Sequence, residues 1–177
     1  MAQAIDASKD RPSDPRNREV VFPAGGDPQR GNLETPINDS SLSKRFIRNL
    51  PAYRQGITPL RRGLEIGMAH GYWLLGPFAK LGPLRDTDVA NIAGLLSAIG
   101  TVVISTLAIE LYANSNPPQP LATVTTPQVP EAFKTQSGWN TYASGFLIGG
   151  IGGAVFAYFL VSNLEVIQGI PRNLFHG

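Results

Sequence analysis

A carboxylate and an imidazole stand five residues apart inside the otherwise apolar run LEIGMAHGYWLLGPFA: Glu65 and His70. Either group can coordinate a metal or carry a proton, and ionisable residues within a membrane span are costly enough to be read first as functional. Five helical residues turn the chain by about 140°, so the two face different surroundings and cannot form one metal site. Glu65 has an ordinary partner within reach, since Arg61 and Arg62 precede it by one helical turn. His70 has none so near. The other histidine, His176, lies at the C-terminal end, which excludes paired-histidine haem ligation within this chain. A single neutral imidazole can still supply one axial ligand to a metallomacrocycle, or it can hydrogen-bond a neighbouring span. Helical side chains lean toward the N-terminus. A ring held at His70 would therefore cover Gly67 and Gly63, whose missing side chains leave room for a flat tetrapyrrole.

Glycines recur every four residues around this site, at 63, 67 and 71, and again at 145, 149 and 153 with Ala157 following. Residues four apart share a helix face, so each set makes a groove for another backbone or a planar ligand. Packing among the chain's own helices accounts for such grooves equally well. No nucleophile–base pair, phosphate-cradling loop or paired-acid constellation appears, and we expect no catalytic activity. The absence of cysteine excludes disulfides, thiolate metal sites and a cysteine nucleophile.

The elements that must position these residues are membrane spans. Mean hydropathy is only −0.04, but the average hides a sharp division. Of the 15 Lys and Arg residues, all but Lys80, Arg85, Lys134 and Arg172 lie between Lys9 and Arg62. Three apolar stretches follow, at about 59–81, 89–113 and 138–161, each long enough for a hydrocarbon core of about 30 Å. The sequence thus predicts an all-α integral membrane protein: three transmembrane helices in a domain over 55–177, behind an extended N-terminal segment over 1–54. Trp139, Tyr142 and Tyr112 fall near span ends, where amphipathic rings favour the interface. The charge bias puts the N-terminus on the cytoplasmic side, the 82–88 turn opposite, and the C-terminus opposite.

Residues 1–40 are polar and rich in Pro, Gly, Asp and Arg, a composition that cannot bury enough apolar area to order itself alone. If ordered, such a segment lies extended on a partner. No apolar run follows its basic residues, so no cleavable signal peptide is expected. Residues 41–54, SLSKRFIRNLPAYR, fit either a short helix on the membrane surface or a basic juxtamembrane linker. The five prolines in 116–130 predict an extended loop. Basic residues interleaved with exposed aromatics are missing, so nucleic acid is not an expected partner.

TPINDS (35–40), NLPAYR (49–54), RGLEIGMAHGYWLLGPFAKLGPLRDTD (62–88), GLLSAIG (94–100) and SGWNTYASGFLIGGIGGAVFAYFL (137–160) together resemble subunit XI of photosystem I, also called subunit L, in its cyanobacterial form. The resemblance runs from about residue 33 to the C-terminus. It implies a thylakoid location, three helices with a stromal N-terminus and lumenal C-terminus, and bound chlorophyll a and β-carotene. It also implies contact with other photosystem I subunits, including the large core subunits, and with copies of the chain in an oligomer. Glu65 and His70 match the family positions that ligate chlorophyll magnesium. The resemblance further places the 82–88 turn near the oligomer axis. There Asp86, Asp88 and the carbonyl of Pro83 are candidate calcium oxygens, or Asp86 or Asp88 simply caps a helix. The competing reading is a small membrane carrier or proton channel using Glu65 and His70.

Overall fold

Thr58 and Pro59 begin the helix that carries the candidate site. The Thr58 hydroxyl accepts a hydrogen bond from the Arg61 amide at 3.2 Å, and Pro59 occupies the first turn, where no amide hydrogen is needed. In the computed structural model, which describes residues 20–164, this helix (α2) runs Pro59–Leu81. A second short helix precedes it, α1 at Ser41–Asn49, and two long ones follow: α3 at Ala90–Asn114 and α4 at Gln136–Ser162. The long helices coincide with the three expected apolar stretches to within two residues at each end. Among the described residues, two helices are long and apolar enough to cross a membrane, α3 and α4. At 23 residues α2 has sufficient length, but it carries Arg61, Arg62, Glu65 and Lys80.

The chain divides into two compact units. One contains residues up to Gln55 together with Pro120–Val129; the other contains Gly56–Gln119 and the residues from Pro130 onward. The first is not purely helical. A two-stranded antiparallel ladder pairs Phe22 with Glu34 and Pro23 with Leu33, through β1 (Phe22–Pro23) and β2 (Leu33–Glu34). The expectation that residues 1–40 lack structure of their own is therefore corrected for 20–40; residues 1–19 lie outside the described ones. Turn chemistry replaces a core here. The Thr35 amide donates to Asn38 Oδ1 (2.8 Å), the Asn38 amide to Thr35 Oγ1 (3.2 Å), and Asn38 Nδ2 to the Leu33 carbonyl (2.7 Å). Ser40 caps α1 by accepting from the Ser43 amide. This helix stops at Asn49, short of the expected residue 54, because Pro51 disfavours the helical region for Leu50, whose ψ is 145°. Arg48 Nε and Gln55 Nε2 reach the Thr125 and Gln128 carbonyls, holding part of the proline-rich loop in this unit.

In the second unit α2 and α4 touch backbone to backbone. The buried positions of α2 beyond Arg62 are Gly63, Gly67, Gly71, Leu75 and Ala79, one every four residues along a single face. A Cβ placed on Gly63, Gly67 or Gly71 would stand 2.0, 2.1 or 1.8 Å from the carbonyl oxygens of Tyr142, Phe146 and Gly150. The relation is reciprocal: Gly145, Gly149 and Gly153 of α4 would each meet the Leu60, Leu64 and Met68 carbonyls at 2.1 Å. Lipid tails are as apolar as leucine, so helices in a membrane associate through such close packing rather than by exclusion from water. The third helix closes the unit with small residues of its own. Gly94 sits on Ala79, Val102 on Gly150, and Ala98 is fully buried beside Leu75 and Ala154.

The six facing glycines set a sharp test. Gly67→Ala or Gly149→Ala forces α2 and α4 apart and is expected to destabilise the helical unit by about 1–3 kcal/mol, the cost of overpacking a tight contact. Gly76→Ala, where nothing lies within 4 Å, is expected to be neutral or slightly stabilising. Denaturant titration of helix content in detergent compares them; equal stability of all three variants would remove the glycine contact as the organising interaction.

Candidate cofactor site around His70

His70 sits on α2 three residues past Gly67, on an exposed part of the helix surface, while the Gly63–Gly67 face is buried. Its Nδ1 lies 2.8 Å from the Ile66 carbonyl oxygen. A carbonyl only accepts, so Nδ1 carries the proton and donates. The neutral ring must then hold its lone pair on Nε2, the nitrogen directed away from the helix backbone. A bound second nitrogen that fixes tautomer and ring orientation is how proteins prepare a histidine to ligate a metal. From α4, Phe146 comes to 5.5 Å between ring centroids at a 58° tilt. Phe146 is buried and also meets Tyr142, which meets Phe133, giving the imidazole a rigid aromatic backing.

Glu65 takes the ordinary partner foreseen for it. Arg61 Nε donates to Glu65 Oε1 at 2.9 Å, one helical turn away. Arg62 takes a different path. It is 2% exposed, donates from Nη2 to the Ile57 carbonyl at 3.4 Å, and holds its guanidinium carbon 5.8 Å from the Phe133 ring centroid. The ring belongs to the turn before α4, so this cation–π contact fixes that turn on α2.

Gly63 and Gly67 correct one expectation. The flat surface reserved for a macrocycle carries α4, whose Tyr142 and Phe146 carbonyls fill the space a ring would need. Of the two readings of the glycine repeat, packing between helices is the one realised. Tyr142 is 8% exposed and turned toward Phe133 and Trp139. Trp139 directs its indole N–H to the Phe133 carbonyl at 3.1 Å and meets Tyr112 edge to face.

The 82–88 turn carries the residues expected to offer calcium oxygens. Asp86 is paired with Arg85, Nε to Oδ2 at 3.4 Å, and its side chain is 82% exposed; Pro83 is exposed as well. Among the described residues no three His, Asp or Glu side chains gather where they could hold a metal ion. Neither aspartate caps α3: the N-cap is Val89, with no side-chain hydrogen bond. Sequence reasoning also passed over two residues. The Ile66 carbonyl was open to inference, because it lies one turn before His70; Phe146, 76 positions away, gave no such signal.

With this geometry in hand, comparison with known proteins decides the kinship. The family model described as photosystem I reaction centre subunit XI matches residues 20–166. The chain belongs to the photosystem I subunit XI family. A subunit XI of a Nostoc species is 73% identical over 170 residues, covering 96% of this chain and 99% of that one. Porphyra purpurea has a relative of the same name at 48% identity, and Thermosynechococcus vestitus one at 47%, each covering 89% of this chain and 98% of theirs. Photosystem I subunit XI is a non-enzymatic part of a photosynthetic reaction centre, in keeping with the lack of a catalytic set in the sequence.

The tautomer assignment can be checked without any pigment. Nitrogen-15 NMR of the detergent-solubilised chain is expected to show His70 protonated on Nδ1 and bare on Nε2 at neutral pH. A proton on Nε2 would leave no lone pair facing outward and would disqualify the ring as a ligand.

Proposed function

We propose that the chain is a light-harvesting and assembly subunit of photosystem I in the thylakoid membrane, holding a chlorophyll a magnesium at His70 Nε2. The fixed Nε2 lone pair on an exposed face of α2, backed by Phe146, carries this reading. The residues fit the group: magnesium in a tetrapyrrole accepts an axial imidazole nitrogen, and an exposed site leaves space for the ring outside the α2–α4 contact. Glu65 is the second candidate ligand, its carboxylate paired with Arg61 and chemically suited to a hard cation. When bound, chlorophyll supplies absorption and transfer of excitation. This chain's own part is to fix the donor atom, the ring's tautomer and the pigment's distance from its neighbours.

In this reading α2 is also a span. Its length suffices, and Arg61, Arg62 and Lys80 lie near its ends, where long cationic side chains reach the interface. Three spans with a cytoplasmic (stromal) N-terminus follow, and the C-terminus then lies on the lumenal side. The broad apolar surfaces of α3 and α4, including Leu96, Ile104, Leu107, Leu111, Phe156 and Phe159, suit lipid, β-carotene, other photosystem I subunits and further copies of the chain. Calcium at the 82–88 turn would need oxygens from a neighbouring chain, since Asp86 and Pro83 alone are too few. Against the carrier alternative, Glu65 is engaged by Arg61 and His70 by its own helix, an arrangement that suits anchoring better than proton passage.

His70→Leu tests the reading. The expected outcome is loss of one chlorophyll per chain from purified photosystem I, with helix content and oligomer retained. Unchanged pigment stoichiometry and an unchanged red absorption band would overturn the ligand assignment. Loss of the oligomer together with the pigment would instead show His70 acting through assembly.

A further inference from the structure

Helix α1 has two faces of opposite character. At about 100° per residue, Leu42 and Phe46 lie about 40° apart and form a narrow apolar side, while Ile47, about 100° further round, is half-buried. Lys44 and Arg48 fall on the far side, with Arg45 at the flank of Leu42. The apolar side is open: Leu42 is 78% exposed and Phe46 63%. No acidic residue lies within α1, and Asp39, which pairs with Lys44, is the carboxylate next to it. Arg45 and Arg48 face outward, Arg48 giving its Nε to the Thr125 carbonyl. Residues 50–58 are all that separates α1 from α2, a tether of about 30 Å at full extension.

From this pairing of an open Leu42–Phe46 face with flanking cations, we infer that α1 is a docking element for the anionic lipid surface of the membrane. Leu42 and Phe46 enter the boundary between headgroups and acyl chains, while Arg45 and Arg48 take headgroup phosphates or sulfonates. The physics favours lipid over a protein partner on two counts. A single helix with a narrow apolar side and a basic opposite side matches the geometry of an interface-lying helix, and the tether leaves the bilayer permanently within reach. Each cation near an anionic surface contributes about five-fold in binding. The inference rests on the chain being embedded through at least α3 and α4, which incorporation into lipid discs itself verifies; it does not depend on pigment.

The chain's lack of cysteine makes the test direct. The whole chain carrying Phe46→Cys, and separately Arg48→Cys, is labelled with an environment-sensitive fluorophore and placed in discs of phosphatidylcholine alone or with phosphatidylglycerol. The expected result is a buried, brominated-lipid-quenched label at position 46 in the anionic discs, at least several-fold more quenched than at position 48. Raised salt, or Arg45→Gln with Arg48→Gln, should release it. A label at 46 that stays in water in the anionic discs overturns the inference. So does one equally quenched in neutral discs and indifferent to salt. A label buried only in the assembled reaction centre would assign the face to a protein partner and overturn it as well.

Discussion

Everything in the membrane unit depends on the distance at which α2 and α4 run past each other. Six glycines let the backbone of each helix rest on carbonyl oxygens of the other. Association at that separation draws on dispersion and on weak Cα–H···O contacts. Both fall away over a few tenths of an ångström. One added methyl at Gly67 or Gly149 would have nowhere to go. The glycine face is therefore a mechanical constraint rather than a ligand site, and the rest of the unit is arranged around it.

That constraint explains why the imidazole is presented as it is. Because the glycine face of α2 is consumed by α4, His70 lies outside the contact, and its ring meets Phe146 only at the margin. Its own helix supplies the Ile66 carbonyl that fixes the tautomer. The ring's orientation is thus set within its own helix and needs no second side chain from another element. Arg62 contributes at a distance: its guanidinium against Phe133 ties the turn before α4 to α2, and Phe133, Tyr142 and Phe146 pass that rigidity toward His70.

The N-terminal unit follows different physics. Residues 20–55 and 120–129 hold their shape through turn hydrogen bonds, such as the reciprocal Thr35–Asn38 pair, and through side chains reaching carbonyls of the proline-rich loop. Little apolar surface is buried, and Leu42, Phe46, Leu33 and Ile37 remain open. A segment built so has its apolar side chains available for something outside the chain. Its order is local, and composition alone therefore misjudged it as structureless.

The sequence by itself determined the long helices almost to the residue, because apolar length, Pro59 at a first turn and the proline-rich break after α3 are local signals. It also determined the family, through motifs spread over most of the chain, and it singled out His70 and Glu65 by their cost in an apolar run. The Glu65–Arg61 pair and the Ile66 bond follow from helix spacing alone. Only the tertiary structure decided what the glycines touch, because a four-residue repeat is the same whether a helix or a pigment lies on it. It alone placed Phe146 beside His70, turned Tyr142 and Arg62 inward, and left Asp86 in the open. Those outcomes depend on which faces meet, and the face chosen by α2 and α4 was fixed by the approach that their glycines permit.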